Sequence, residues 1–592
     1  MFASETPPTA RLVILALTSL IACSLSVQAQ TISSNAKPEP ITGSISGRVV
    51  TESGQGIPNV MVYSRPSLTF SQRATATDSE GNFKFDGLDS ALYLFSAYTP
   101  GYVMPARDPD AEPIYYRLNE SVSLNLIKGG VITGTVLSSS GEPVIQVPVR
   151  AMLVRDANGK APKSMGFQMS RATDDRGVYR IYGLAPGTYV VSAGGRNSFG
   201  GTGAYDDDAP TYAPSSTRDT AARIAVTSGD ETNVDIKYRG EAGHAVSGTL
   251  TGALDGNLAF GINVSLIQSD NGVPINSAVS FAPPGVKTFA ILGVADGEYD
   301  LTAQSMSAPG ESGVSETRHI TVRGADITGI ELNIKPLGSI SGHVVLAKSE
   351  VADCKNKRQP LFSETLIAVR PSEKQKPSEV PRFMNFYGPQ GVPNQTGDFQ
   401  IRNLGPGQYN FDARFFAKYW YLKSIAQETG ATVPPAKPAA LNNQTDLARN
   451  GITLKLGENI SRVRVNLAEG AASLHGSVKL QTRQSVPPKL LVYLVPAEKE
   501  SAEDVLRFFA SEVGSDAAFA LNNLAPGSYW VVGQVTPNND TQSEVKLRSP
   551  AEAETRAQLR RAAEAGKLLV EFKPCQNVAD YQLPISPASQ KN

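Results

Sequence analysis

Catalysis needs nucleophiles, proton carriers or metal ligands, and this 592-residue chain holds few: cysteines Cys23, Cys354 and Cys575, and histidines His244, His319, His343 and His475. A metal centre needs several such side chains brought together, and four isolated histidines do not supply that spacing. No serine sits in a G-x-S-x-G elbow where a histidine could activate it. No glycine-rich loop precedes a helix to cradle phosphate; Gly194-Gly195 and Gly200-Gly201 lie in polar surroundings. Asp206-Asp207-Asp208 lacks EF-hand spacing and reads as a solvated loop. No cofactor is expected. What stands out is aromatic: Phe415-Phe416-Ala417-Lys418-Tyr419-Trp420-Tyr421. Flat rings pack against the C–H faces of a pyranose, and tyrosine and tryptophan add a polar handle. Phe416, Tyr419, Trp420 and Tyr421 are therefore candidate ligand-binding residues. The competing reading is that the run closes a core or a domain junction. If the strand from Tyr409 continues through it, Phe411, Phe415, Tyr419 and Tyr421 face inward and Phe416 and Trp420 outward.

Composition sets the frame for these residues. Hydrophobic residues are 41%, charged residues 19% and the net charge is -1, which describes a globular chain and argues against nucleic acid as partner. Arg11 precedes an apolar run from Leu12 to Ala22, and small residues end at Val27-Gln28-Ala29, the pattern of a cleaved secretory signal. Alternatively, Leu20-Ile21-Ala22-Cys23 resembles the lipobox of bacterial lipoproteins, in which the cysteine is lipidated. Either way the chain is exported, to periplasm, outer membrane or exterior, and membrane contact is expected only through a lipidated Cys23. Outside the cytoplasm, Cys354 and Cys575 read as a disulfide pair, with two unpaired thiols as the alternative.

One pattern recurs five times: NFKFDGLDSALYLFSA at 82–97, VYRIYGLAPGTYVVSA at 178–193, TFAILGVADGEYDLTA at 288–303, DFQIRNLGPGQYNFDA at 398–413 and AFALNNLAPGSYWVVG at 518–533. The first aromatic (Phe83, Tyr179, Phe289, Phe399, Phe519) begins a period-two strand. Ten residues later comes a tyrosine: Tyr93, Tyr189, Tyr299, Tyr409 or Tyr529. Between them Pro186-Gly187, Asp296-Gly297, Pro406-Gly407 and Pro526-Gly527, with Ser90-Ala91 departing in the first copy, suggest a type II turn joining antiparallel strands. Ahead of each copy runs a strand with a central glycine: Gly47, Gly134, Gly248, Gly342 or Gly476. Glycine inside a strand marks a bulge or a close backbone approach. Alternating strands at Val122-x-Leu124-x-Leu126 and its counterparts precede the next glycine strand almost directly, so neighbouring units should be held semi-rigidly as a rod.

This order, I/V-x-Gly-x-V, then D-x-x-G-x-F/Y-x-I and L-x-P-G-x-Y-x-V-x-A, resembles bacterial carboxypeptidase regulatory-like repeats. The resemblance implies an all-β, tandem array of about five antiparallel, transthyretin-like sandwiches of the carbohydrate-binding-like class. Boundaries are expected at 41–127, 128–240, 241–335, 336–468 and 469–548, after a signal over 1–29 and a linker over 30–40. A helix and tail fill 549–592, opened by the capping box Ser549-Pro550-Ala551-Glu552. Zinc carboxypeptidases need H-x-x-E, but Ser247, Val322, Leu346 and Val478 stand three residues after the histidines, so the resemblance is to the accessory domain only. It implies a non-catalytic envelope protein presenting a surface to polysaccharide, or alternatively a spacer or assembly partner for envelope proteins.

Overall fold

A computed structural model describes residues 42–584 apart from 68–70, 106–112, 161–168, 196–202, 253–260, 271–272, 306–311, 356, 373–389, 429–443, 480–485, 487–489, 515 and 536–552. The signal, the lipobox, the linker and the capping box lie outside the described residues. Within them the chain is a tandem array of β-sandwiches, each with its own apolar core. Each opens on its glycine strand: Thr42–Val50, Gly130–Leu137, His244–Gly252, Gly338–Ala347 and Ala472–Lys479. That strand pairs antiparallel with the first aromatic strand on one side and parallel with the unit's closing strand on the other.

The central glycine is needed because the sheet closes tightly around it. A Cβ at Gly47, Gly134, Gly248, Gly342 or Gly476 would lie 1.9–2.2 Å from a carbonyl oxygen of the closing strand, of Val122, Val234, Ile330, Val463 or Tyr581. Directly opposite each glycine stands the first aromatic. The rings of Phe83, Phe399 and Phe519 lie over the bare glycine, covering backbone that has no side chain of its own.

The two strands of the recurring motif do not pair with each other. Asn82–Asp89 joins the sheet of the glycine strand, whereas Tyr93–Tyr98 pairs with Met61–Pro66 in the facing sheet. The same division holds for Asp398–Leu404 and Gly407–Arg414. The connection is thus a corner between sheets, not a hairpin. Nor is it a type II turn at Pro-Gly: Gly407 and Gly527 have φ of 151° and 139°, far from the roughly +80° of that turn. The left-handed residue comes earlier, at Gly87, Gly183, Gly293, Asn403 and Asn523, with φ between 56° and 73°. Glycine and asparagine are the residues that tolerate this region. Each tyrosine then locks its corner: the hydroxyls of Tyr93, Tyr189, Tyr299, Tyr409 and Tyr529 donate to the carbonyl oxygen four residues upstream at 2.8–2.9 Å. All five are buried, at 6% exposure or less.

Two features depart from the expected layout. The fifth sandwich does not end before the helix: Leu569–Phe572 pairs with Gly527–Val535, and Asn577–Pro584 runs parallel to the glycine strand Ala472–Lys479. The helix Ala553–Gly566 is an excursion within that sandwich and packs Leu559 and Ala563 against Val495 and Phe508 on the outer face of the sheet. Second, sandwich one touches sandwich four. Leu92, Leu94 and Tyr115 form one buried cluster with Leu366, and the Ser90 and Ser363 hydroxyls are 3.0 Å apart. The array therefore doubles back, which a straight rod does not permit. Among the described residues no helix is long and apolar enough to cross a membrane.

Candidate functional site

The aromatic run of sandwich four lies where the chain changes sheets. Gly407–Arg414 belongs to one sheet and Trp420–Glu428 to the other, beside Asn459–Glu469. Residues 415–419 make the crossing, so strand alternation from Tyr409 does not carry through. Trp420 consequently points inward and is 0% exposed, correcting its expected outward position. With no accessible face it cannot stack a sugar, and its indole Nε1 has no hydrogen-bond partner among the described residues. Phe416 packs against the cluster between sandwiches one and four, its ring covered by the Arg117 guanidinium 4.6 Å from the centroid. Tyr419 is half-buried with Lys357 Nζ 4.7 Å from its ring. Tyr421 is half-buried too, and burial raises its phenol pKa against the opposing pull of Arg507. Asn523 of sandwich five donates to the carbonyl oxygens of Ala417 and Trp420 at 2.9 and 2.7 Å. The run is the joint of sandwiches one, four and five, and as a ligand platform it offers little free ring surface.

Cys354 and Cys575 form a disulfide, with Cα atoms 5.5 Å apart. Cys354 is fully buried in the insertion after the fourth glycine strand. Cys575 lies in the turn between the last two strands of sandwich five, its N–H donating to Gly470 O at 2.9 Å. The bond thus ties two structured sandwiches together and does not strap down a loose tail.

Each histidine has a partner on a neighbouring strand or turn: His244 with Asp296, His319 with Asp300, His343 with Asp398, and His475 with Asn522. No cluster of three metal-ligating side chains occurs among the described residues. The Asp206–Asp208 run is built into the joint of sandwiches two and three, unlike the solvated loop expected. Gly243 N–H donates to Asp207 O at 2.7 Å and the Tyr238 hydroxyl to Asp208 Oδ2 at 2.6 Å.

A cleft of about 350 Å³ opens on the sheet of sandwich four over Gly342. Its walls carry His343, Asp398, Glu428 and Arg464. His343 Nδ1 lies 2.8 Å from Asp398 Oδ1, and Arg464 pairs with Glu428 at 2.7 Å. Hydrogen bonds from Thr396, and then the one to His343, hold the Asp398 carboxyl below the usual carboxylate range. The cleft combines planar acceptors and planar donors around an open floor, a set suited to pairs of adjacent hydroxyl groups. Nothing in the sequence pattern marked it, because Glu428 and Arg464 are distant in sequence from Asp398 and meet only across the sheet.

Residues 44–112 match the family of the carboxypeptidase regulatory-like domain. No curated protein matches the chain. Solved structures that overlap it include the Bacillus anthracis TIE protein, at 14% identity over 49% of this chain and 51% of that one, with TM-score 0.14. The chain thus spans about half the length of the TIE protein. The minor pilin GBS52 of Streptococcus agalactiae overlaps at 14% identity over 33% of this chain and 96% of that one, TM-score 0.18. The shaft pilin SpaA of Lactobacillus rhamnosus GG does so at 10% identity over 34% and 98%, TM-score 0.16. At such scores these overlaps carry no argument about function. The first sandwich is thus similar to carboxypeptidase regulatory-like domains over residues 44–112, and the chain is a tandem array of β-sandwiches that share one strand plan.

Proposed function

We propose that this is an exported, non-catalytic envelope protein whose sandwiches present binding surfaces to polysaccharide. The observation that carries the reading is the cleft on sandwich four, where His343, Asp398, Glu428 and Arg464 line an open hollow large enough for a sugar unit. His343 already pairs with Asp398 and Arg464 with Glu428, and Arg462, which also lines the cleft, is engaged too, so the cleft suits a neutral, hydroxyl-rich ligand better than an ion. Glycan-array binding tests it: wild-type protein should retain a defined set of glycans, and Arg464→Ala should lose them at least tenfold. A protein that binds no glycan would refute the reading.

A second reading, spacer or assembly partner for other envelope proteins, is favoured by the way the units are fastened. The disulfide joins sandwiches four and five, and an apolar cluster joins one and four. Such fastenings suit a scaffold that must hold a fixed geometry. Co-purification of a stoichiometric envelope protein, without glycan binding, would select it.

A further inference from the structure

In sandwiches three, four and five the closing strand breaks register with the glycine strand at one place. Pairing steps from Val246–Ile327 to Gly248–Ile330, from Ile340–Ile460 to Gly342–Val463, and from Leu474–Val578 to Gly476–Tyr581. Two residues of the closing strand therefore stand against one of the glycine strand, which is a β-bulge. The second residue of each bulge is left-handed: Gly329 at φ 74°, Arg462 at 63° and Asp580 at 60°.

Glycine enters this region without steric cost, and aspartate is among the residues whose short polar side chain compensates for it. Arginine has neither advantage, so Arg462 holds a strained backbone conformation. Sandwich three does not use glycine here for lack of room, since a Cβ on Gly329 would meet nothing within 4 Å. The bulge admits a side chain sterically and penalises most of them conformationally. The core does not repay the arginine, because Arg462 is exposed while Val463 beside it is buried. What distinguishes Arg462 from its counterparts is its place: it lines the cleft over Gly342, on the wall that carries His343, Asp398, Glu428 and Arg464. Bulges recur beside functional sites because they re-aim a side chain.

We infer that Arg462 is the residue that selects the ligand of this cleft, its guanidinium donating hydrogen bonds to the hydroxyl oxygens of a neutral sugar. This rests on the proposed function and assigns the specificity of the same site. Arg462 and Arg464 stand two residues apart on one strand, roughly 6–7 Å between Cα atoms, with Val463 turned into the core between them. Two planar guanidiniums on one face address two hydroxyl groups of a single sugar unit. Asp398 and Glu428 accept from hydroxyl hydrogens, so the wall meets both the lone pairs and the O–H groups of the ligand. A guanidinium carries five N–H donors, and the interaction that already engages Arg462 does not exhaust them. The two carboxylates balance the two arginines, so an acidic sugar gains no net attraction.

The test separates strain from binding. Arg462→Gly removes the side chain and suits the left-handed backbone, and an exposed ion pair lost with it counts for little. Affinity electrophoresis of the full chain in gels containing mannan, a soluble β-glucan or glycol chitin is read beside urea unfolding. The wild type should be retarded in at least one gel, and Arg462→Gly at least tenfold less, with an unfolding midpoint equal to or above that of the wild type. Asp580→Gly, at the same bulge of sandwich five, should be retarded as the wild type is. Retardation of Arg462→Gly at the wild-type level overturns the inference, and if Arg464→Ala is then not retarded the cleft itself stands. A lowered midpoint for Arg462→Gly also overturns it, since the arginine would then be a structural residue. A wild type retarded by none of the polymers refutes the proposed function, and the inference with it.

Discussion

At the residue scale the architecture rests on a few positions where one atom more is too many. Adding a Cβ to Gly248 would put it 1.9 Å from Ile330 O, and a backbone carbonyl of a paired strand cannot yield as a side-chain tip can. Gly248→Ala should therefore destabilise by about 2–3 kcal/mol through overpacking, read as a lowered denaturant midpoint. Gly566 at the helix end has open space around it, so Gly566→Ala should leave stability unchanged or slightly raised. Equal effects of the two would show that close approach is not the reason for the glycine. The corner tyrosines divide into two contributions. Tyr189→Phe loses only the bond to Ala185 O, about 1 kcal/mol, whereas Tyr189→Ala also leaves a cavity and should cost roughly 3 kcal/mol or more. Both the glycines and the tyrosines were legible in the sequence, since their spacing repeats without a gap. The left-handed position was equally present, as Gly87, Gly183, Gly293, Asn403 and Asn523. The Pro-Gly pair a few residues later is the stronger turn signal and masks that position in the pattern.

At the element scale, strand type could be read but strand partnership could not. Period-two alternation shows that 82–89 and 93–98 are strands, yet a tight connection serves a hairpin and an inter-sheet corner alike. The same gap explains the aromatic run: alternation predicts facing only while a strand stays in one sheet, and the crossing at 415–419 resets it. The closing strand of sandwich five was missed for a different reason. A 14-residue helix separates it from the rest of the unit, and helix plus tail looks like an appendix. The corners also set a pH limit. Burial raises the phenol pKa of Tyr93, Tyr189, Tyr299 and Tyr529, that of Tyr189 to about 12. An acid with a raised folded pKa contributes stability that is intact below its unfolded value near 10 and is lost as pH rises above it. Stability should thus hold to about pH 10 and fall steeply between pH 10 and 12, with tyrosine ionisation at 295 nm rising together with unfolding. Ionisation of all twenty tyrosines near pH 10 without loss of structure would contradict this.

At the scale of the whole molecule, the fold class and the repeat number followed from five ungapped copies, but contacts between distant units did not. Nothing in a period predicts that sandwich one meets sandwich four: of the residues that touch, Arg117, Leu366 and Phe416 lie outside the recurring motif, and Leu94 stands at a position that varies between copies as Val190, Asp300, Asn410 and Trp530. The disulfide follows a similar logic: pairing was suggested by export and an even count, while its place in sandwich five needed the closing strands. By the chain-entropy model a bond across so long a loop contributes about 5 kcal/mol. Thiol titration of the denatured, unreduced mature protein should find no thiol from Cys354 or Cys575, and two per chain would exclude the bond. The doubled-back arrangement brings sandwich one against sandwich four. Its most direct test is a cysteine pair at Ser90 and Ser363, whose hydroxyl oxygens lie 3.0 Å apart although 273 residues separate them. Ser90→Cys/Ser363→Cys should oxidise to an intramolecular bond in near-stoichiometric yield, seen in non-reducing peptide maps. Two alkylatable thiols in the folded double variant, with scattering from a particle on the order of 150 Å long as for five sandwiches end to end, would contradict it.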